Sequence, residues 1–167
     1  MKIEKLSVGS HVGPEQGSCI NEYVSFLAKE KWSDRPACMS RSISSFTMWI
    51  NDKGGQKHRD KLMLMAPRLL DTVDFSKEAA RAAIFSEFAF WNAEKAQGFA
   101  KSAKSAKYAK YAESAAEYAE FAKYAEFAAE HAESAAESAT ESTAKYAEFR
   151  VECYDKAIQT LEKVLAV

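Results

Sequence analysis

After Gly98 the sequence runs for 69 residues without a glycine or a proline, the two residues that most readily interrupt a helix. Alanine fills much of this stretch, and alanine has the highest helix propensity of all residues. We therefore predict a long alanine-rich helix that begins near Asp74 or Ser76, either of which can cap a helix N-terminus. All three prolines and five of the six glycines precede residue 76, which indicates a boundary between Thr72 and Ser76.

These features predict an all-α fold in three parts. Residues 1–73 form a small N-terminal bundle of short helices with an irregular leading loop. Residues 74–150 form the long alanine- and aromatic-rich repeat helix, which is extended and coiled-coil-like. Residues 151–167 form an amphipathic C-terminal helix that packs back onto the N-terminal helices or the base of the long helix. A break is expected at residues 138–143, where hydroxyl and β-branched residues lower the helix propensity.

Three apolar faces at helical spacing predict the short helices of the first part. In chain order they consist of Ile20, Tyr23, Val24 and Leu27; of Ile43, Phe46, Trp49 and Ile50; and of Leu62, Met65, Leu69 and Leu70. Pro67 lies inside the third face and predicts a kink or a fresh helix start there.

The long helix carries a repeat in which a serine or an aromatic residue recurs every three or four residues, followed in most units by alanine. The mean spacing lies below the value of about 3.5 residues of a heptad coiled coil, so the stripe drifts around a straight helix. Its aromatic members are predicted to pack against another helix, or alternatively to form an exposed ladder for a ligand or nucleic acid. This predicted interaction surface consists of Tyr108, Tyr111, Tyr118, Phe121, Tyr124 and Phe127.

Charge along the long helix is divided into a basic and then an acidic block. The basic stretch consists of Lys101, Lys104, Lys107 and Lys110. From Glu113 to Glu141 there are eight glutamates and a single lysine, Lys123. Such blocks favour antiparallel pairing, and the absence of turn residues argues against a hairpin within one chain before Ser138. We therefore expect an antiparallel homo-oligomer; the alternative is a solvated charged face without a partner.

The formal net charge of −1 carries no signature of a general nucleic-acid-binding protein. Single-stranded nucleic acid stays open as a partner that is not favoured, with the basic stretch supplying charge and Tyr108 and Tyr111 supplying stacking. No apolar run is long enough for a signal peptide or a membrane span, so we predict a cytoplasmic protein without a membrane contact. Cys19, Cys38 and Cys153 are predicted to be free thiols.

The groups that could carry chemistry lie in the first part and are His11, Glu15, Cys19, Glu22, Asp34, Cys38 and His58. What we call the N-terminal cluster consists of His11, Glu15, Cys19, Glu22, Trp32, Asp34 and Cys38. No standard metal, hydrolase or phosphate-binding motif is present, so we assign no catalytic residue, no metal ligand and no cofactor. We expect Cys19 and Cys38 to be small buried thiols, and Asp34 to act as a turn or capping residue. The alternatives are a zinc site made of Cys19, Cys38 and His11, and a nucleophile pair of Cys19 with His11.

Residues 9–72 resemble a family of uncharacterised proteins of bacterial and phage genomes. The resemblance is carried by Trp32-Ser33-Asp34-x-Pro36-x-Cys38 and by His11, Pro14-Glu15, Gly17, Cys19, Glu22, Asn51-Asp52, Arg59, Leu62, Pro67-Arg68-Leu69 and Thr72. Members also tend to carry alanine- and aromatic-rich repeats and a short C-terminal helix. The chain departs from the pattern at Arg41, where a proline would open the second helix. The resemblance implies a phage or mobile-element accessory protein and no particular activity.

The sequence therefore favours a non-enzymatic protein that binds or sequesters a partner, with a small helical head presented by a self-associating helical rod. With the phage resemblance, this predicts a host-takeover or anti-defence factor in the cytoplasm of the host bacterium, with a host protein or a small ligand as partner. The alternatives are a metal- or thiol-dependent enzyme centred on the N-terminal cluster, and single-stranded nucleic-acid binding by the lysine- and tyrosine-rich stretch.

Overall fold

The computed structural model describes residues 3–102 and 143–167, and the side chains of residues 3–95 and 147–167. Within these residues the chain is all-α, with five α-helices and no strand, as the sequence predicts. The helices are α1 (Ile20–Leu27), α2 (Arg41–Lys53), α3 (Gln56–Leu69), α4 (Glu78–Ser102) and α5 (Thr143–Val164), and a short 3-10 helix (Phe75–Lys77) precedes α4. None of these helices is both long and apolar enough to cross a membrane.

Helices α1, α2 and α3 form a bundle in which each helix contacts the other two. The apolar faces predicted from the sequence point into this bundle, because helical spacing places their members on one side of each helix. The buried members are Ile20 and Val24 of α1; Ile43, Phe46, Trp49 and Ile50 of α2; and Leu62, Met65 and Leu69 of α3. Nine of the twelve predicted residues are therefore core residues of this bundle, and Tyr23, Leu27 and Leu70 are half-buried.

Helix α3 continues through Pro67 and ends two residues later, at Leu69. The predicted fresh start at this proline is not observed. Pro67 has no N–H, so the hydrogen bond lost inside the helix is the one to the carbonyl of Met63, four residues earlier. Pro67 lies in the last turn of α3, so its ring removes a single hydrogen bond near the helix end, and the helix continues for only two more residues.

Helix α2 begins at Arg41, so this arginine occupies the first helical position, where proline is favoured in other helices. Its N-cap residue, Ser40, makes no capping hydrogen bond. The Ser40 hydroxyl instead donates to Glu78 Oε1 at 2.8 Å, and Ser42 donates to the other carboxylate oxygen at 2.9 Å. The first residue of α4 thus holds the first turn of α2.

The chain divides into two compact units. The first comprises Met1–Glu78 together with Leu161–Val167, so the end of the chain belongs to the same unit as the three-helix bundle. Leu161 and Val164, in the last turn of α5, are fully buried. The second unit comprises Ala79–Thr160.

In the second unit α4 and α5 run antiparallel, because positions advance along α4 as their partners recede along α5. The pairs are Trp91 with Lys156 (a cation over the ring), Asn92 with Cys153 (a hydrogen bond) and Lys95 with Glu152 (an ion pair of 2.6 Å). Antiparallel pairing of opposite charges therefore occurs within one chain. The predicted pairing between copies stays a prediction.

Candidate functional site

The carboxylate of Glu22 is the centre of the N-terminal cluster. Its side chain is 1% exposed, and it lies in the first turn of α1. One oxygen accepts the backbone N–H of His11, and the other lies 2.8 Å from both His11 Nδ1 and the backbone nitrogen of Cys19. Three donors from two segments of the leading region thus converge on one buried carboxylate.

This arrangement selects the tautomer of His11. A carboxylate that holds two backbone donors is an acceptor, so His11 Nδ1 must carry a proton, and in the neutral ring Nε2 keeps its lone pair. Nε2 has no hydrogen-bond partner among residues 3–95 and 147–167. It lies beside Gly17, where an added Cβ would stand 2.8 Å from Nε2 and 2.9 Å from Ser7 Oγ.

Cys19 is the N-cap of α1 and takes the place that serine or threonine holds in an ordinary capping box. Its sulfur accepts the backbone N–H of Glu22 at 3.4 Å, and Glu22 accepts the backbone N–H of Cys19 in return. Burial raises the pKa of the Cys19 thiol to about 12, and the charge of Glu22 acts in the same direction. The thiol is therefore protonated at neutral pH, which removes the thiolate that a cysteine nucleophile requires.

Trp32 also holds the backbone of His11. Its indole Nε1 donates to the backbone carbonyl of His11 at 2.8 Å. The next residue, Ser33, donates its backbone N–H to Ser25 Oγ at 3.2 Å, which attaches the same segment to α1. Both backbone groups of His11 are thus held by side chains, the N–H by Glu22 and the carbonyl by Trp32.

Asp34 is attached to α1 through its backbone. Its carbonyl accepts from Asn21 Nδ2 at 2.9 Å, and the same nitrogen donates to the backbone carbonyl of Ser44 at 3.0 Å. The oxygen of the Asn21 amide accepts from the Thr47 hydroxyl at 2.9 Å. Asn21 and Thr47 are fully buried, so this amide connects α1, α2 and the intervening loop inside the core.

Asn51 makes a second buried connection of this kind. Its Oδ1 accepts the backbone N–H of Ile20 at 3.2 Å, and its Nδ2 donates to the carbonyl of Ser7 at 2.8 Å. No sequence motif assigns a role to Asn21, Thr47 or Asn51. A signal was present, because Thr47 and Asn51 lie one helical turn apart beside the apolar face of α2, where a polar side chain needs a partner.

Glu15 and Cys38 do not make contacts with this centre. Glu15 is exposed, and its carboxylate lies against Gly13 in the leading loop. The backbone N–H of Cys38 donates to Glu30 at 2.9 Å, and burial, with Glu30 nearby, raises the pKa of its thiol. Among the side chains that the structure describes, no three His, Cys, Asp or Glu residues are placed to hold a metal ion.

The predicted interaction surface, Tyr108, Tyr111, Tyr118, Phe121, Tyr124 and Phe127, lies outside the described residues, as do Lys104, Lys107 and Lys110. Lys101 lies in α4, and its side chain is outside the described part. Comparison with known proteins finds no matching family model, no matching curated protein and no matching solved structure. The case for a function therefore depends on the residues described above.

Proposed function

We propose that the protein is a non-enzymatic binding protein, in which the three-helix head takes a partner and the alanine-rich region associates with further copies. The observation that carries this proposal is that both oxygens of the Glu22 carboxylate already accept hydrogen bonds from the head itself. Its buried carboxylate holds the backbone of His11 and Cys19 and the His11 ring, which are structural duties. The Cys19 thiol serves as a helix cap and the Trp32 N–H as a loop clamp, so these groups stabilise the head.

Self-association is supported by the way charges pair in the second unit. Lys95 and Glu152 form an ion pair across the antiparallel helices α4 and α5. The basic stretch that follows Lys95 and the acidic block after it offer the same complementarity to a second copy. The resemblance to phage-associated proteins favours host takeover or anti-defence as the setting of this binding.

The proposal is tested on the full chain by light scattering and by affinity capture from bacterial lysate. We expect a mass above the 18.6 kDa of one chain and a stoichiometric captured protein. Higher salt should lower the mass, because exposed charges are screened beyond about 10 Å at 0.1 M ionic strength. A strictly monomeric protein that captures nothing would refute the proposal.

A second candidate, an enzyme of the N-terminal cluster, is favoured by one observation. The Glu22-oriented His11 ring keeps Nε2 without a partner in the described part, and both Nε2 and the Ser7 hydroxyl lie beside Gly17. A histidine held this way by a carboxylate has the orientation of a general base. We would measure hydrolysis of p-nitrophenyl acetate by the full chain, by Ser7→Ala and by His11→Gln. A rate that neither substitution lowers, or no rate above buffer, excludes this candidate.

A further inference from the structure

Two contacts fix the register of α5 on α4. Lys95 forms its 2.6 Å ion pair with Glu152, and Asn92 accepts a hydrogen bond from Cys153 Sγ at 3.2 Å. The two residue numbers add up to 247 in the first pair and to 245 in the second, as expected when positions advance along one helix and recede along the other. Two antiparallel copies in this register make each pair twice, once on either side of their midpoint. The contacts of one chain can therefore be reproduced between two copies.

Both helices of the second unit bury apolar side chains. Phe85 and Phe88 of α4 are buried, and so are Tyr154 and Ala157 of α5. The interfaces of obligate homodimers have this character, because they resemble a domain core cut in half. The inner sides of α4 and α5 are thus suited to hold two copies together.

The last turn of α5 belongs to the head. Leu161 and Val164 are fully buried, in the unit that also contains Met1–Glu78. Glu78 is the first residue of α4, so α4 starts from this same unit. Because α5 is one continuous helix, the copy that supplies α5 to a given α4 also supplies the last turn of the head from which that α4 starts.

The connection between the two helices favours an exchange between copies. Since α4 and α5 are antiparallel, α5 reaches the α4 of its own copy only if the chain reverses direction between Ser102 and Thr143. The sequence of residues 103–142 has no glycine and no proline and is rich in alanine, so a reversal interrupts residues of high helix propensity. An exchange of α5 between two copies keeps the same contacts and needs no reversal. Domain swapping of this kind is a low-cost route to a dimer.

We infer that the protein self-associates as an exchanged dimer, in which α5 of each copy packs on α4 of the other in the register seen within one chain. Lys95 of one copy then pairs with Glu152 of the second copy, and Leu161 and Val164 complete the head of the second copy. The inference rests on the proposed self-association, and it names the partner, the surface and the register. Each head is complete only in the dimer.

The test is a disulfide bond between positions 92 and 153, whose side chains meet in the structure. One chain carries Asn92→Cys, with serine at its three native cysteine positions, so that its one thiol is at position 92. The other chain carries Cys19→Ser and Cys38→Ser, so that its one thiol is Cys153. The two chains are unfolded together, refolded as a mixture and oxidised. We expect a covalent product of two chains of 18.6 kDa, with the 92–153 bond identified by peptide mass spectrometry.

A matched control places the thiol on the other side of α4. Phe90 is 50% exposed and lies two positions from Asn92, which turns it away by about 200° on the helix. Phe90→Cys in place of Asn92→Cys should give at least about tenfold less of the bond, because a disulfide needs Cα atoms within about 7 Å. If circular dichroism shows that Asn92→Cys loses helix, the exposed pair Lys95→Cys and Glu152→Cys replaces it, with Cys153→Ser in both chains.

A chain that carries Asn92→Cys together with the native Cys153 separates the outcomes, in combination with light scattering. A mass of two chains with the bond between chains supports the inference. A mass of two chains with the bond inside each chain overturns the inference and leaves the proposed function standing. The absence of any bond at both tested pairs, in chains that keep their helix content, also overturns it. A mass of one chain refutes the proposed self-association and the inference with it.

Discussion

His11 Nδ1 lies 2.8 Å from the carboxylate of Glu22, and these two residues join the leading loop to the first turn of α1. The same carboxylate holds the backbone N–H of Cys19, the residue that caps this helix. A single buried side chain therefore sets the path of the loop and the start of the helix together. Four residues of the N-terminal cluster thus hold the leading loop and the start of α1 in place: His11, Cys19, Glu22 and Trp32.

We predict that Glu22→Gln lowers the free energy of unfolding by about 2–4 kcal/mol. An amide has one acceptor oxygen in place of two and brings an NH2 group toward three donors, so buried donors lose their partners. The midpoint and slope of urea unfolding measure this loss. Glu15→Gln, at an exposed carboxylate, should change the free energy by less than about 0.5 kcal/mol. Equal effects at the two positions would show that the clamp does not stabilise the head.

Two glycines of the leading loop have positive φ but differ in the space around them. Alanine substitutions at these two positions therefore compare backbone strain alone with backbone strain plus a steric clash. Gly9 has φ +83° with nothing within 4 Å of an added Cβ, and Gly17 has φ +128° with His11 at 2.8 Å. Gly9→Ala should therefore cost about 1–2 kcal/mol, from the left-handed backbone alone. Gly17→Ala should cost about 2–4 kcal/mol, because the new methyl group also displaces the His11 ring.

Thermal or urea unfolding of both alanine variants measures the difference. The account predicts a larger loss for Gly17→Ala, together with a changed NMR resonance of the His11 ring. A Gly9→Ala loss as large as that of Gly17→Ala would contradict the packing of His11 against Gly17.

Cys19 makes the head less stable as the pH becomes alkaline. Its thiol has a pKa of about 12 in the folded chain and about 9 when exposed. Above pH 9 the unfolded chain releases this proton while the folded chain keeps it, so stability falls as the pH rises. The slope from this group is at most about 1.4 kcal/mol per pH unit. Urea unfolding of the wild type and of Cys19→Ser at pH values from about 8 to about 10.5 covers the titration of an exposed cysteine. The difference between the two proteins isolates the contribution of Cys19.

Cys19→Ser is the matched control because serine caps a helix in the same way and does not titrate in this range. The variant should lose less stability than the wild type as the pH rises, since other alkaline titrations are common to both. Parallel pH profiles would show that the folded state does not favour the neutral thiol.

Helical periodicity predicted α1, α2 and α3 because each helix buries one face against the other two, and a single buried face leaves a readable pattern. The contacts of Asn21 with Thr47 and of His11 with Glu22 could not be predicted from the sequence, since they join residues that are 26 and 11 positions apart. Spacing along one helix carries no information on such partners. The antiparallel placement of α5 on α4 was also not specified, because the sequence allowed either the N-terminal helices or the long helix as its support.

A polar residue in the second unit offers a test of packing there. Asn92 is fully buried; its Oδ1 accepts from Cys153 Sγ at 3.2 Å, and its Nδ2 has no partner in the part of the chain described. Asn92→Leu removes this unpaired donor at similar volume and should raise the free energy of unfolding by about 1 kcal/mol. Lys95→Met, at the exposed ion pair with Glu152, should change it by less than about 1 kcal/mol.

Chemical denaturation of the full chain measures both substitutions. A loss of stability in Asn92→Leu, or a change in oligomeric mass, would contradict this account and would make Asn92 a residue that sets the register of α4 against α5.

We propose that this chain acts by binding and associates with itself through its charge-divided alanine-rich region. The most direct measurement is light scattering on the full chain and on a variant in which Lys101, Lys104, Lys107 and Lys110 are all replaced by glutamate. We expect a mass of at least two chains of 18.6 kDa for the wild type and of one chain for the variant. A wild-type protein that has the mass of one chain at every concentration, or a variant that associates equally well, would contradict it.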